Sequence, residues 1–117
     1  CSFFIDIPYG PGKELIEQDI AFALATDYNP GSSPNGNMNL VNALACIKMK
    51  ISPEAAFNAS TINGAAAMEI AEKTGSITKG KLANINVTST INSYGFMPYS
   101  FGANHIDRSM INGKWIN

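Results

Sequence analysis

Residues 2–8 open the chain with an apolar stretch that ends in the turn chemistry of Pro8-Tyr9-Gly10-Pro11-Gly12. Residues 13–18 read as a short helix with Leu15 and Ile16 turned inward. The run Ile20-Ala21-Phe22-Ala23-Leu24-Ala25 is continuously apolar and has no alternation. Such a run suits a strand buried on both faces, as in a parallel sheet covered by helices. Its alanines also suit a buried helix. The Asp27-Tyr28-Asn29-Pro30-Gly31 that follows decides for a strand ending in a loop.

Residues 31–36 are a loop of Gly, Ser, Pro and Asn. From Asn37 the apolar positions Met38, Val41, Leu44, Ala45 and Met49 recur at helical spacing, which predicts an amphipathic helix to about Lys48. Ser52-Pro53-Glu54 is a helix start, with Ser as N-cap, Pro at the first helical position and an acid in the first turn. That helix is expected to reach Ala59. Thr61 is expected to cap another over residues 62–72, closed near Gly75. Beyond Gly75 the texture changes to short strand-like pieces at Ile77, at Leu82 with Ile85 and Val87, and at residues 106–111. Asn112-Gly113, between Met110-Ile111 and Trp115-Ile116, is a strong hairpin signal. The order predicts an α/β layer followed by an all-β tail.

The composition narrows the field. The 117 residues allow one small domain, and no internal repeat or low-complexity tract interrupts them. Eight Lys and Arg stand against nine Asp and Glu, a net charge of −1, which leaves no electrostatic footprint for nucleic acid or for an anionic membrane surface. No stretch approaches the ~20 apolar residues of a membrane span. At 45% hydrophobic and only 15% charged, the chain reads as folded but thinly clothed in charge. A shortage of charge on a small domain implies that part of its surface is covered by something else, although the many asparagines supply some of the missing polarity. Cys1 and Cys46 lack C-x-x-C spacing, so neither a zinc knuckle nor a redox pair is suggested, and free thiols in a reducing compartment are expected over a single long-range disulfide. The start at Cys1 carries neither a basic segment nor a cleavage signature nor an initiator Met, so the chain is expected to begin within a longer protein rather than at a signal peptide.

Candidate chemistry centres on Asp27, at the carboxyl end of the apolar run. In α/β sheets and barrels, ligands bind beyond the carboxyl ends of the strands. A carboxylate there can ligate a metal or take a proton from water. The alternative is an Asx-turn in which Asp27 satisfies backbone N–H groups around Asn29-Pro30. Gly31 allows close backbone approach to a ligand, and Asn29 and Ser32 offer donors and acceptors for a carboxylate; an ordinary loop is the alternative. His105 is the single histidine, and with no G-x-S-x-G elbow a structural hydrogen-bonding role is expected for it. Asn58-Ala59-Ser60 and Asn86-Val87-Thr88 fit the glycosylation pattern, as chance allows in an asparagine-rich chain. A catalytic zinc-type site commonly takes about three protein ligands. If Asp27 is one, its partners lie outside this chain.

These residues also carry a resemblance. The segment Ala23-Leu24-Ala25-Thr26-Asp27-Tyr28-Asn29-Pro30-Gly31-Ser32-Ser33-Pro34 closely resembles the eighth-strand segment of imidazolonepropionases, members of the amidohydrolase superfamily. Phe3-Phe4 followed by Pro8-Tyr9-Gly10-Pro11 is similar to that family's strand-7 exit. Ser52-Pro53-Glu54-Ala55-Ala56, continuing through Ala59-Ser60-Thr61-Ile62-Asn63-Gly64-Ala65, resembles the helical region after the barrel. Pro98-Tyr99-Ser100-Phe101-Gly102-Ala103-Asn104-His105 is similar to a motif near the family's C-terminus. The T-D-x-N-P-G-[ST]-S-P block is specific to the family. Gly75-Ser76-Ile77-Thr78-Lys79-Gly80-Lys81 is shared across the superfamily and discriminates little.

The resemblance implies the C-terminal part of a (β/α)8 barrel, with residues 1–74 ending the barrel and residues 75–117 forming short strands of an accessory β-sandwich. It implies hydrolytic ring opening of 4-imidazolone-5-propanoate to N-formimidoyl-L-glutamate in histidine degradation, in the cytoplasm, with one zinc or iron ion. Asp27 would be a metal ligand that also shuttles the proton of the attacking water. Asn29 and Gly31 would contact the open-chain product, and Ser32 the imidazolone substrate. Two departures stand out. The H-x-H pair of the family's strand 1 and its further histidines are absent from this chain, so the chain alone is expected to be inactive. Asn84 stands where the superfamily usually has Asp, in the β tail and away from the chemistry. The expected partners are a small-molecule substrate and either the preceding part of the protein or further copies of this chain, with no nucleic acid and no membrane. The competing readings are a non-catalytic module that binds a small acid or self-associates, and part of another cyclic amidohydrolase.

Overall fold

The computed structural model describes residues 1–116. Its elements run α1 (Gly12–Glu17), α2 (Met38–Lys48), α3 (Pro53–Ser60), α4 (Ile62–Ala67), β1 (Ile85–Thr88), α5 (Phe96–Tyr99), β2 (Ile106–Ile111) and β3 (Lys114–Trp115). Helices fill the first part and a small antiparallel sheet the last, so the expected β tail is present while the strands expected of the α/β layer are not formed among the described residues. The short helix α5 was not foreseen; it packs on α2.

The helix ends follow local chemistry. Asn37 caps α2, its Oδ1 accepting from the Asn39 N–H at 2.8 Å. Ser52 caps α3, accepting from the Ala55 N–H at 3.2 Å, with Pro53 at the first position and Glu54 in the first turn. Thr61 does not cap α4 as expected. Its hydroxyl donates to the Phe57 carbonyl at 2.6 Å, which serves the end of α3 instead.

The helix expected over residues 62–72 stops at Ala67 because Glu69 turns left-handed, with φ 59°. The Glu69 N–H then donates to the Ala66 carbonyl and the Ile70 N–H to the Ala65 carbonyl, both at 2.9 Å. This is a Schellman closure without its usual glycine. The same closure ends α1, where Asp19 is left-handed and the Ile20 N–H reaches the Leu15 carbonyl at 2.8 Å. An acidic residue in this conformation carries no sequence signal, which is why the α4 boundary was misjudged.

The strand expected across residues 20–25 is not formed among the described residues. A parallel strand requires hydrogen-bonding neighbours, and here none pairs with it. The segment nevertheless keeps the alternation of an extended chain. Phe22, Leu24 and Thr26 are half-buried while Ala21, Ala23 and Ala25 are exposed. Phe22 and Leu24 pack against Ala45, Ile51 and Ala56, so one face is covered and the other is open. The Leu24 N–H donates to the Ala59 carbonyl at 3.0 Å, and Asn63 Nδ2 donates to the Phe22 carbonyl at 2.9 Å.

In the tail, β1 pairs antiparallel with β2, and β2 with β3. Ile77 and Leu82 lie outside any strand and are exposed, because the chain reaches the sheet only at Ile85. The hairpin appears where it was predicted. Asn112 and Gly113 both take positive φ, 50° and 77°, as a type I′ turn requires. Asn84 Oδ1 accepts from the Asn112 N–H at 2.8 Å, and the Ala83 carbonyl from the Gly113 N–H at 3.1 Å. An Asp at position 84 would offer the same acceptor, so this departure from the superfamily leaves the turn intact. Arg108 lies over the Trp115 ring at 3.8 Å, a cation–π contact across β2 and β3.

The core is shallow. Among the described residues the buried apolar side chains are Ile51 and five alanines, Ala43, Ala45, Ala56, Ala59 and Ala65. Phe3 and Phe4 are 62% and 64% exposed, and Ile77 86%. The chain exposes 7971 Å². A folded monomer of this mass is expected to expose about 6,200 Å². The excess reflects the open packing and the large apolar side chains left exposed. Asn42, in the middle of α2, is buried with its Oδ1 unpartnered among the described residues.

Two backbone exchanges of opposite sign are expected. A Cβ at Gly75 would lie 2.6 Å from Ala65 Cβ at φ +89°, so Gly75→Ala should cost about 2–4 kcal/mol. Glu69→Gly should stabilise by about 0.5–1 kcal/mol by relieving a left-handed side chain. Urea midpoints measure both. Cys46 gives a third prediction. Burial first, then the Glu54 carboxylate, push its thiol above the ordinary range. Less thiolate is therefore present at pH 8, so iodoacetamide should label Cys46 more slowly than a free peptide cysteine. The rate should climb at a higher pH than for that peptide, as mass spectrometry of timed samples would read.

Candidate functional site

The segment carrying Phe22 and Leu24 delivers Thr26 and Asp27 directly into a short closed loop. Asn29 and Ser33 form an isolated antiparallel bridge, with N–H to carbonyl distances of 3.0 Å and 3.3 Å. Asn29 fills the loop's interior. Its Oδ1 accepts from the Gly31 N–H at 2.9 Å, the Ser32 N–H at 2.8 Å and Ser32 Oγ at 3.3 Å. Its Nδ2 donates to the Asp27 carbonyl at 2.6 Å. The Asx-turn weighed for Asp27 therefore belongs to Asn29. A Cβ at Gly31 would sit 3.3 Å from Asn29 Oδ1, so the glycine leaves room for that acceptor.

Asp27 is left-handed, with φ 50°, and exposed. Its carboxylate has no hydrogen bond or ion pair among the described residues, so it is free to bind or to accept a proton. It stands on the wall of a cavity of about 260 Å³ together with Ser32, Ser33 and Asn35, over aliphatic side chains of α2 such as Leu40 and Leu44. Tyr9 and the exposed Phe3 and Phe4 close another side. Asp27 and Ser32 thus share one cavity. Asn29 and Gly31 do not line it; their polar groups are spent inside the loop. Thr26, Ser33 and Asn35 are among the lining residues to which the sequence reading gives no role. The only signal for Ser33 was its place at the end of the N-P-G-S-S block.

His105 lies apart from this cavity. Its ring packs against Phe96 with centroids 5.4 Å apart, and Nε2 is 3.3 Å from the Ser100 carbonyl, in keeping with a structural histidine. Among the described residues no group of three or more His, Cys, Asp or Glu side chains could surround a cation. The donor set therefore fits one ligand of a metal site, the unpartnered Asp27 carboxylate, and not a whole site. No helix among the described residues is long and apolar enough to cross a membrane. Cys1 and Cys46 are both free.

Comparison with known proteins bears on this geometry. Over 116 residues the chain is 59% identical to a protein named imidazolonepropionase from Christiangramia forsetii, covering 99% of this chain and 28% of that one. It is 57% identical, over the same length and shares, to the imidazolonepropionase of Flavobacterium johnsoniae. Against that of Alkaliphilus oremlandii it is 42% identical over 106 residues, 91% of this chain and 25% of that one. The chain thus spans about a quarter of the length of the curated relatives it matches. The alignment with these relatives thus runs well beyond residues 23–34, over 91–99% of the chain. The profile of the Amidohydrolase family matches residues 11–116, and the chain belongs to that family.

Proposed function

We propose that this chain is the C-terminal portion of an imidazolonepropionase, which hydrolyses the ring amide of 4-imidazolone-5-propanoate to N-formimidoyl-L-glutamate in histidine degradation. The observation that carries the reading is the free Asp27 carboxylate beside Ser32 on the wall of one cavity, within a loop built on the family's own motif. Residues 1–74 then end a (β/α)8 barrel and residues 75–117 belong to its accessory β-sandwich. The open face at Ala21, Ala23 and Ala25 and the exposed Phe3 and Phe4 are the surface that the preceding barrel strands cover.

In the complete cytoplasmic enzyme Asp27 would be one ligand of a zinc or iron ion, the others coming from the preceding part of the protein. When bound, that ion supplies a Lewis acid toward the ring carbonyl. The chain's own residues handle positions and protons. Asp27 accepts a proton at its carboxylate as water adds to the carbonyl carbon. It returns that proton to the ring nitrogen as the C–N bond breaks, so the carboxylate emerges unchanged. Ser32 Oγ, with a rotatable hydroxyl at the cavity wall, hydrogen-bonds the imidazolone substrate. Asn29 keeps that loop in shape by accepting from the Gly31 and Ser32 N–H groups.

The test uses the full-length protein and formation of N-formimidoyl-L-glutamate from the imidazolone. Asp27→Asn should lower kcat by about 10²–10⁴-fold, the loss typical of removing a general base. Near-normal turnover would remove Asp27 from the chemistry. The 117-residue chain alone should show no turnover, and turnover by it would overturn the partial-site reading.

A further inference from the structure

The two peptide planes that flank the Asp27 Cα are each held by a side chain from across the loop. On the N-terminal side, Ser33 Oγ donates to the Thr26 carbonyl at 2.7 Å. On the C-terminal side, Asn29 Nδ2 donates to the Asp27 carbonyl at 2.6 Å, and the Tyr28 N–H of the same peptide donates to Thr26 Oγ1 at 3.3 Å. Fixing both planes fixes φ and ψ of Asp27. This matters because the left-handed conformation is disfavoured for a residue with a Cβ. The three hydrogen bonds from Ser33, Asn29 and the Tyr28 N–H offset that cost. The direction of the Asp27 carboxylate toward the cavity depends on them.

We propose that Ser33 is a positioning residue for Asp27: its hydroxyl, half-buried in the cavity wall, locks the Thr26–Asp27 peptide and thereby aims the carboxylate. Its backbone already pairs with Asn29, so the side chain is carried at a fixed distance from the Thr26 carbonyl. Removing the Oγ frees one plane only. Asp27 then explores the ordinary φ < 0 region, and its carboxylate leaves the position in which it binds and moves protons. This inference rests on the reading of Asp27 as a metal ligand and proton carrier.

The test takes the full-length protein as wild type, Ser33→Ala and Ser33→Thr, and measures zinc affinity by competition with a chelating dye alongside steady-state ring opening. Ser33→Ala should weaken zinc binding and lower kcat by about 10–100-fold each, the usual loss when a residue orienting a metal ligand is removed. Its KM should stay within about threefold of the wild-type value, and Ser33→Thr, which keeps the donor, should restore both quantities. If Ser33→Ala does not fold, Ser33→Cys, with its weaker donor, carries the same readout. Unchanged zinc affinity and kcat would overturn the proposal, as would a raised KM with unchanged kcat, the mark of direct substrate contact. A wild type that binds zinc but opens no imidazolone ring would sink the proposed reaction alone, and the zinc affinities would still decide Ser33. A wild type that binds no zinc would overturn both.

Discussion

The packing of Phe22 and Leu24 onto Ala45, Ile51 and Ala56 is the contact on which the rest of the arrangement depends. It joins an unpaired segment to α2 and α3 and sets where Thr26 and Asp27 emerge. Half-burial of each large side chain contributes about 1–1.5 kcal/mol. The two hydrogen bonds along the segment, to Ala59 and from Asn63, contribute about 1 kcal/mol each. Apolar packing and hydrogen bonding are therefore comparable here, and both act on one face only. On the other face, three exposed alanines are small enough for another backbone or helix to lie close against them.

The same one-sidedness recurs through the molecule. A core of Ile51 and alanines means that helices approach closely and that no large side chain is fully enclosed among the described residues. The larger apolar groups point outward instead: Phe3, Phe4, Ile5 and Ile7 at the start, and Ile111, Trp115 and Ile116 in the tail. With only 15% charged residues, the chain leaves these apolar groups thinly screened by charge. The chain belongs to the amidohydrolase family, and the relatives it matches are about four times as long.

Around Asp27 the physics changes from packing to hydrogen bonding. Residues 26–33 bury no large apolar side chain and hold their shape through the hydrogen bonds of Asn29 and Ser33. A loop organised in this way spends its amide donors internally and leaves one carboxylate free. Asn29 and the Gly31 N–H bond within the loop, while Asp27 and Ser32 line the cavity.

The helix starts at Asn37 and Ser52, the Asn112-Gly113 hairpin and the family motif at residues 23–34 were all legible in the sequence. Each depends on a few neighbouring residues whose side chains bond to their own backbone or permit a positive φ. The end of α4 at Ala67, the diverted Thr61 hydroxyl, helix α5 and the unpaired state of residues 20–25 were decided only in three dimensions. Left-handed acidic residues at helix ends have no compositional mark, and a strand exists only where a neighbour supplies hydrogen bonds. The candidate site divides along the same line. Sequence marked Asp27 and Ser32 through a local motif, whereas the link from Ser33 to the Thr26 carbonyl required a loop closed across seven residues.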